Sequence, residues 1–346
     1  IKAQGQDDYS IAFKNAIIAT GVKPMIPDNI ELDSKDIVDS STALELQDVP
    51  QHLLVIGAGY IGLEMATIYK SLGSKVSVVE MTENFMPGMD KDLIQEYKKF
   101  DKNFFEEKFF STRVTSINSE KDIVKVEFAG QEGEKFEKKY DKILIATGQK
   151  PNYEYLGLEN LSIELDDKGF IKVDEQQRTS EGNIYAIGDV AGPPLLAHKA
   201  SYEGRVAAEV LAGKKTVNDA KAIPAIIYTE PEIATTGLNE KELIKKEIDY
   251  KKVKFPWSAS GRASAMNQKR GFTKLLIDQK NERILGAGIV GKHAGDMISE
   301  ITLAIEMAAT VEDLSLTIHP HPTLSETIME AAELYYGHPT HISKRV

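Results

Sequence analysis

Leu53-Leu54-Val55-Ile56-Gly57-Ala58-Gly59-Tyr60-Ile61-Gly62 decides the fold. Four apolar residues read as a strand, the glycines turn the chain, and a helix follows with Ile61, Met65, Ile68 and Leu72 on one stripe at helical period. A second strand over residues 75–79 then ends in Glu80, eighteen residues beyond Gly62. Strand, glycine turn, helix, strand and terminal acid together predict a βαβ unit that cradles a dinucleotide. Gly57 permits the tight turn, Gly59 lets a pyrophosphate approach the backbone, and Gly62 lets the helix pack close to the strand. The pyrophosphate belongs on the helix N-terminus formed by Tyr60, Ile61 and Gly62, where unpaired N–H groups and the macrodipole favour negative charge. Glu80 can accept from both ribose hydroxyls and would repel a 2′-phosphate, and Met81-Thr82-Glu83 supplies no cation to receive one. NAD is therefore expected in preference to NADP. Glu64, in the first turns, has two open readings: an acid placed by the helix dipole, or a group beside the nicotinamide.

Working outward, the chain has 346 residues, too many for one ordinary core, with 42% apolar, 8% aromatic and 27% charged residues. That is the composition of folded domains. A formal charge of -11 argues against nucleic acid and anionic lipid as partners. No run of eighteen apolar residues exists and the opening lacks a signal-peptide layout, so a soluble chain without a membrane partner is expected. The absence of cysteine excludes disulfides, thiolate zinc sites and cysteine nucleophiles within these residues. The sequence opens at Ile1 and runs directly into a strand-like stretch, which gives the expectation that its start has been removed.

One internal echo orders the rest. Ile18-Ala19-Thr20-Gly21-Val22-Lys23-Pro24 recurs as Ile145-Ala146-Thr147-Gly148-Gln149-Lys150-Pro151, each copy following an apolar strand, at an offset of 127 residues. Two matching crossings are expected, where the chain leaves one domain and returns to it around an inserted one. From about residue 223, β-branched runs at 223–228, 272–277 and 284–290 predict an antiparallel sheet with helices near 294–309 and 324–336, the last ending at Gly337. Ile298, Ile301, Ile305 and Met307 fit either a core or an interface.

The stretch Thr179 to Asp189 reads as a short strand delivering Gly188 and Asp189 to a sheet edge, with a helix from about residue 198 to 211. Asp189 suits a polyol hydroxyl, and Gly-Asp is equally an ordinary turn pair. Paired with the duplicated Ala-Thr-Gly turns, it favours a second, flavin nucleotide. Near the end, His319-Pro320-His321-Pro322-Thr323-Leu324-Ser325-Glu326 also has two readings. Thr323 and Glu326 form a capping-box pattern. Alternatively, His321 is a general acid–base oriented by Glu326. A metal on His319 and His321 lacks a third ligand at recognised spacing, so no metal site is expected.

These residues together resemble the flavoprotein pyridine nucleotide-disulfide oxidoreductases, and within them the branch that reoxidises dihydrolipoyl groups. The resemblance rests on Val55 to Gly59 through Glu80, Met86-Pro87-Gly88-Met89-Asp90, Ile145 to Asn152, Tyr185 to Asp189, Tyr228-Thr229-Glu230-Pro231-Glu232, Phe255 to Asn267, and His319 to Glu326. It implies an α/β fold of nested Rossmann-like domains: a partial FAD domain over 1–28 and 148–220, a complete NAD domain over 29–147, and an α+β dimerisation domain over 221–346. It implies FAD and NAD as cofactors, with Gly21, Gly148, Asp189 and Ala197 toward the flavin nucleotide and Glu64 near the nicotinamide. His321 and Glu326 become the catalytic pair, reaching across a homodimer. The implied partner is the lipoyl domain of a 2-oxo acid dehydrogenase acyltransferase, and the implied location is cytoplasmic or, alternatively, the mitochondrial matrix. The family's redox-active cysteine pair would precede Ile1, so these residues alone are expected to be inactive. The rival readings are a non-catalytic NAD-binding and dimerisation module, or an NADP-linked glutathione-type reductase, which the acid at Glu80 disfavours.

Overall fold

A computed structural model describes residues 9–27, 30, 34–45, 48–120 and 123–342. The opening at Ile1, the expected boundary between residues 28 and 29, and the terminal Lys344-Arg345-Val346 lie outside the described residues. The chain divides into two compact units, one ending at Met25 and resuming over Gln149–Asp219, the other formed by Ile26–Gly148 and Ala220–Val346.

The first unit holds a parallel pair, Ala16–Ile18 with Ile184–Ala186, and an antiparallel pair, Val22–Pro24 with Gln149–Pro151. The second pair gives the sequence echo a physical meaning. The last three residues of each copy pair, with Lys150 opposite Lys23 and Pro151 opposite Val22. The strand-like stretch at the start is shorter than its residues suggested, with only three of them in a strand. The helix Ala197–Leu211 packs Val206, Ala207 and Val210 onto Tyr185.

The second unit contains a parallel sheet in the order Ile37–Asp39, Lys142–Ile145, His52–Ile56, Lys75–Val79, Lys108–Phe109. Leu53, Leu54, Val55, Val76, Val78, Ile143 and Leu144 are fully buried, as expected of strands covered on both faces. The helix Tyr60–Ser71 covers one face, and a three-stranded antiparallel meander, Thr112–Glu120, Ile123–Gly130 and Lys135–Tyr140, contributes Val124, Val126 and Phe128 to the other. The expected helical stripe holds at Met65 and half-buried Ile61 and needs correction at its other two residues. Ile68 and Leu72 are 38% and 50% exposed, and the buried side is Leu63, Met65, Ala66 and Tyr69. Apolar period alone could not say which of two adjacent stripes meets the sheet.

The remainder of this unit is a five-stranded antiparallel sheet ordered Ala225–Ile227, Ile233–Gly237, Ile284–Val290, Phe272–Asp278, Tyr250–Pro256. Helices Ala294–Glu306 and Glu326–Tyr336 pack on it, sharing a core that includes Trp257, Leu275, Ile289, Ile298, Ile301 and Ile328. The first of these helices stops at Glu306, short of the expected end, and Met307 is 73% exposed. Ile298 and Ile301 are core; Met307 is surface. The last helix begins at Glu326 and ends at Gly337, whose φ of 81° is the left-handed conformation of a C-terminal glycine.

Candidate functional site

The glycine turn follows the central strand His52–Ile56, whose neighbours lie on opposite sides and lead away in opposite directions. A crevice at such a reversal is where open α/β sheets bind ligands. Gly57 has φ 104°, and a Cβ there would stand 2.3 Å from the Ala146 carbonyl oxygen; at Gly62 it would meet the Gly57 carbonyl oxygen at 2.1 Å. At Gly59 nothing lies within 4 Å. Two glycines therefore permit close packing while the middle one faces open space, and no side chain caps the first turn of the twelve-residue helix beyond it. These are the requirements of a pyrophosphate cradle.

Glu80 closes the cradle. Its Oε2 accepts from the Ala58 N–H at 2.9 Å and its Oε1 from the Thr82 N–H at 2.8 Å. Each oxygen keeps acceptor capacity for a ribose hydroxyl. Beside it, Met81, Thr82, Glu83, Ser111, Arg113 and Gly130 line a cavity of about 460 Å³. Arg113 is a cation that the reading of Met81-Thr82-Glu83 missed, because the meander brings it there from a different strand. Glu64 accepts from the Tyr228 N–H at 2.8 Å, tying the nucleotide-binding helix to the antiparallel sheet. Burial raises its carboxyl above the ordinary range, partly opposed by that amide. Neither feature of Glu64 was legible from helix position.

In the first unit, Gly21 and Gly188-Asp189 follow the C-terminal ends of the parallel pair, and Ala197 opens the helix Ala197–Leu211. Gly188, at φ 74°, is gripped by a buried ion pair: its N–H donates to Glu203 at 2.7 Å and its carbonyl accepts from Lys199 at 3.1 Å. No hydrogen-bond partner of the Asp189 side chain occurs among the described residues. Burial raises its pKa and the Lys199 charge draws it down, so it stands as an acceptor suited to a ligand hydroxyl. The only sequence signal for this grip was the four-residue spacing of Lys199 and Glu203. Gly148, at φ 141°, belongs to the other unit and follows the strand Lys142–Ile145.

At the far end of the chain Glu326 combines both readings of its motif. One oxygen receives the Thr323 N–H at 2.7 Å and the other faces His321 Nδ1 at 2.9 Å. The reciprocal half of the expected box, the Glu326 N–H donating to the Thr323 hydroxyl, does not occur among the described residues, and that hydroxyl donates to the Pro320 carbonyl. Burial would push the Glu326 carboxyl up, but the Thr323 amide and the His321 ring hold it below the ordinary range. The helix carrying it is fixed by a buried chain from Trp257 Nε1 to the Thr273 hydroxyl (3.1 Å), to Thr327 (2.7 Å) and on to the Leu324 carbonyl (2.7 Å). His319 turns away to Glu300 at 2.7 Å, and His341 pairs with buried Glu330. Asp90, Asp92 and Glu240 have the spacing of metal ligands, but the Lys274 ammonium fills their centre at 2.7, 2.8 and 3.2 Å.

The pyridine nucleotide-disulphide oxidoreductase model matches residues 1–204, and the dimerisation-domain model of the same family matches residues 223–332. The chain belongs to this family. Within the family it is 47% identical to the dihydrolipoyl dehydrogenase of Buchnera aphidicola subsp. Schizaphis graminum over 96% of the chain and 70% of that protein. It is 45% identical to that of Vibrio cholerae over 97% of the chain and 71% of that protein. Among solved family structures, LpdA from Mycobacterium tuberculosis has a TM-score of 0.84 at 28% identity, covering 92% of the chain and 69% of LpdA. The HOCl-induced flavoprotein disulfide reductase RclA from Escherichia coli has a TM-score of 0.83 at 28% identity, covering 92% of the chain and 73% of RclA.

Proposed function

We propose that the chain oxidises dihydrolipoyl groups with NAD as final acceptor, as a homodimer that uses FAD and NAD. The net change is dithiol plus NAD⁺ to disulfide, NADH and one proton. Glu326 carries this reading, because its geometry sets the ring of His321. A carboxylate facing Nδ1 holds the proton on that nitrogen, leaving Nε2 as the ring's base. The exposed ring then accepts a proton from a substrate thiol and returns it later, while Glu326 stabilises the imidazolium. The thiolate so formed can attack a disulfide. No cysteine stands among these 346 residues, so that disulfide is not supplied by this sequence.

The Glu80 cradle and the Asp189 turn fit NAD and FAD, respectively. The chemistry supplied by the bound cofactors is a two-electron relay from dithiol to nicotinamide. The dimerisation-domain match supports the homodimer, and the dithiol carrier is expected to be a lipoyl domain of a 2-oxo acid dehydrogenase acyltransferase.

Two measurements test the proposal. In a protein carrying the disulfide, His321→Gln should slow dihydrolipoamide oxidation by at least about a hundredfold while sparing NADH-to-flavin exchange; equal loss of both would remove the assigned role. Calorimetric titration should show NAD binding at least about tenfold tighter than NADP. Tighter NADP would favour the glutathione-type reading, with Arg113 receiving the extra phosphate.

A further inference from the structure

The peptide of Ala58, at the centre of the glycine turn, is held from both sides. Its N–H goes to Glu80, and its carbonyl accepts from the Met86 N–H at 2.9 Å. Met86 opens a tight strap: it has φ 51°, its carbonyl accepts from Met89 at 3.2 Å, and Gly88 has φ 95°. The strap ends at Asp90, which belongs to the lysine knot. Asp90 Oδ2 receives Lys274 at 2.7 Å, and its Oδ1 receives the Glu240 N–H at 3.0 Å. Lys274 and Glu240 both come from the portion of the chain matched by the dimerisation model, and Lys274 is only 1% exposed.

We propose that Lys274 is a positioning residue for the dinucleotide site, acting through Asp90 and the 86–90 strap on the Ala58 carbonyl. Met86 occupies a positive-φ conformation that its surroundings must hold in place, and its side chain is buried in the core beneath the cradle. One end is fixed by Phe85, fully buried among Tyr97, Phe105 and Phe110. The other end is fixed by the ammonium. Asp92 and Glu240 also meet Lys252, and Asp92 meets Lys254, but Lys274 is the lysine on Asp90, whose side chain is buried, so displacing it leaves that carboxylate without its cation. A second approach supports the same coupling: the helix Lys91–Phe100, which continues from the strap, presses Leu93 against the strand Ile284–Val290 so closely that a Cβ at Gly288 would stand 2.9 Å from it. The antiparallel sheet thus sets the position of one wall of the cradle, as Tyr228 does for the helix through Glu64.

The inference rests on the dinucleotide reading of the cradle, and the test separates the two. NAD affinity is measured by calorimetry on the full chain, with amide exchange followed over residues 82–90. Lys274→Met and Asp90→Asn are each expected to raise the NAD Kd about tenfold and to speed exchange at Met86. Thr302→Val, which removes a 2.9 Å bond to Thr236 in the same antiparallel unit, should lower stability without changing either readout. Should Lys274→Met fail to fold, Asp90→Asn decides alone. Parent-like affinity and exchange in the folded variants would overturn the strap; no saturable NAD binding by the parent would overturn the dinucleotide reading itself.

Discussion

Two carboxylates, Glu80 and Glu326, carry the chemistry proposed for this chain, and each is occupied in a way that residue type alone does not reveal. Glu80 spends an oxygen on the turn it serves, so its removal should loosen the cradle as well as lose the ribose contact. Glu80→Ala is expected to weaken NAD binding by about 1.5–3 kcal/mol, the worth of hydrogen bonds to a charged group, read by calorimetry. Unchanged affinity would mean the ribose lies elsewhere. Glu326 is held ionised by Thr323 and His321 against the push of burial. A carboxyl whose folded pKa is lowered adds stability that is present above its unfolded value of 4.5 and lost as pH falls through the folded value below it. Glu326→Gln should therefore flatten the acid limb of a urea-midpoint-against-pH curve, and an unaltered limb would contradict the hydrogen-bonding assigned to it. Motif spacing put Glu80 at the turn and Glu326 within reach of His321, while the role of that pair came only from the resemblance to the family. Arg113 and Tyr228 were not, because each reaches its place from a strand distant in sequence.

Elements place these residues through a few close approaches. At Gly62 the helix meets the turn with no room for a methyl group, so Gly62→Ala is expected to cost about 1–3 kcal/mol of overpacking, measured by denaturant unfolding. A neutral result would mean that the helix can shift. The loop before the last helix is tied to the helix Ala294–Glu306 by His319. Its hydrogen bond to Glu300 raises the imidazole pKa above 6.5 despite burial, which acts the other way. That stabilisation is complete below the unfolded value and is lost as pH rises through the raised folded value. His319→Gln should abolish the decline in stability over that window; persistence of the decline would assign it to another group. The strands on either side of the glycine turn and the final glycine cap were legible because period and turn chemistry are local properties, whereas the meander over 112–140 and the strand Tyr250–Pro256 were not anticipated. The buried side of the helix Tyr60–Ser71 was not, since the choice between neighbouring stripes belongs to the sheet beneath it.

At the scale of the molecule, the antiparallel unit exposes large apolar side chains that its own core does not need. Leu303, in the last turn of the helix Ala294–Glu306, and Met307, just past its end, are exposed, and Ile318, just before the histidine motif, is 94% exposed. Ile318→Asp should shift sedimentation toward monomer if this face joins two copies; an unchanged distribution would move the interface elsewhere. The sequence by itself determined the dinucleotide turn, the acid that closes it, the histidine–carboxylate pair and the antiparallel character of the last third, since all depend on short spacings and backbone preferences. Only the tertiary structure decided that Val22–Pro24 and Gln149–Pro151, the ends of the two echoed stretches, pair with each other, that Lys274 fills an acidic cluster otherwise suited to a metal, and that Glu64 binds the backbone amide of Tyr228. Those outcomes join residues more than a hundred positions apart, and the energy that selects them comes from desolvating charges and backbone groups together, which no local pattern encodes.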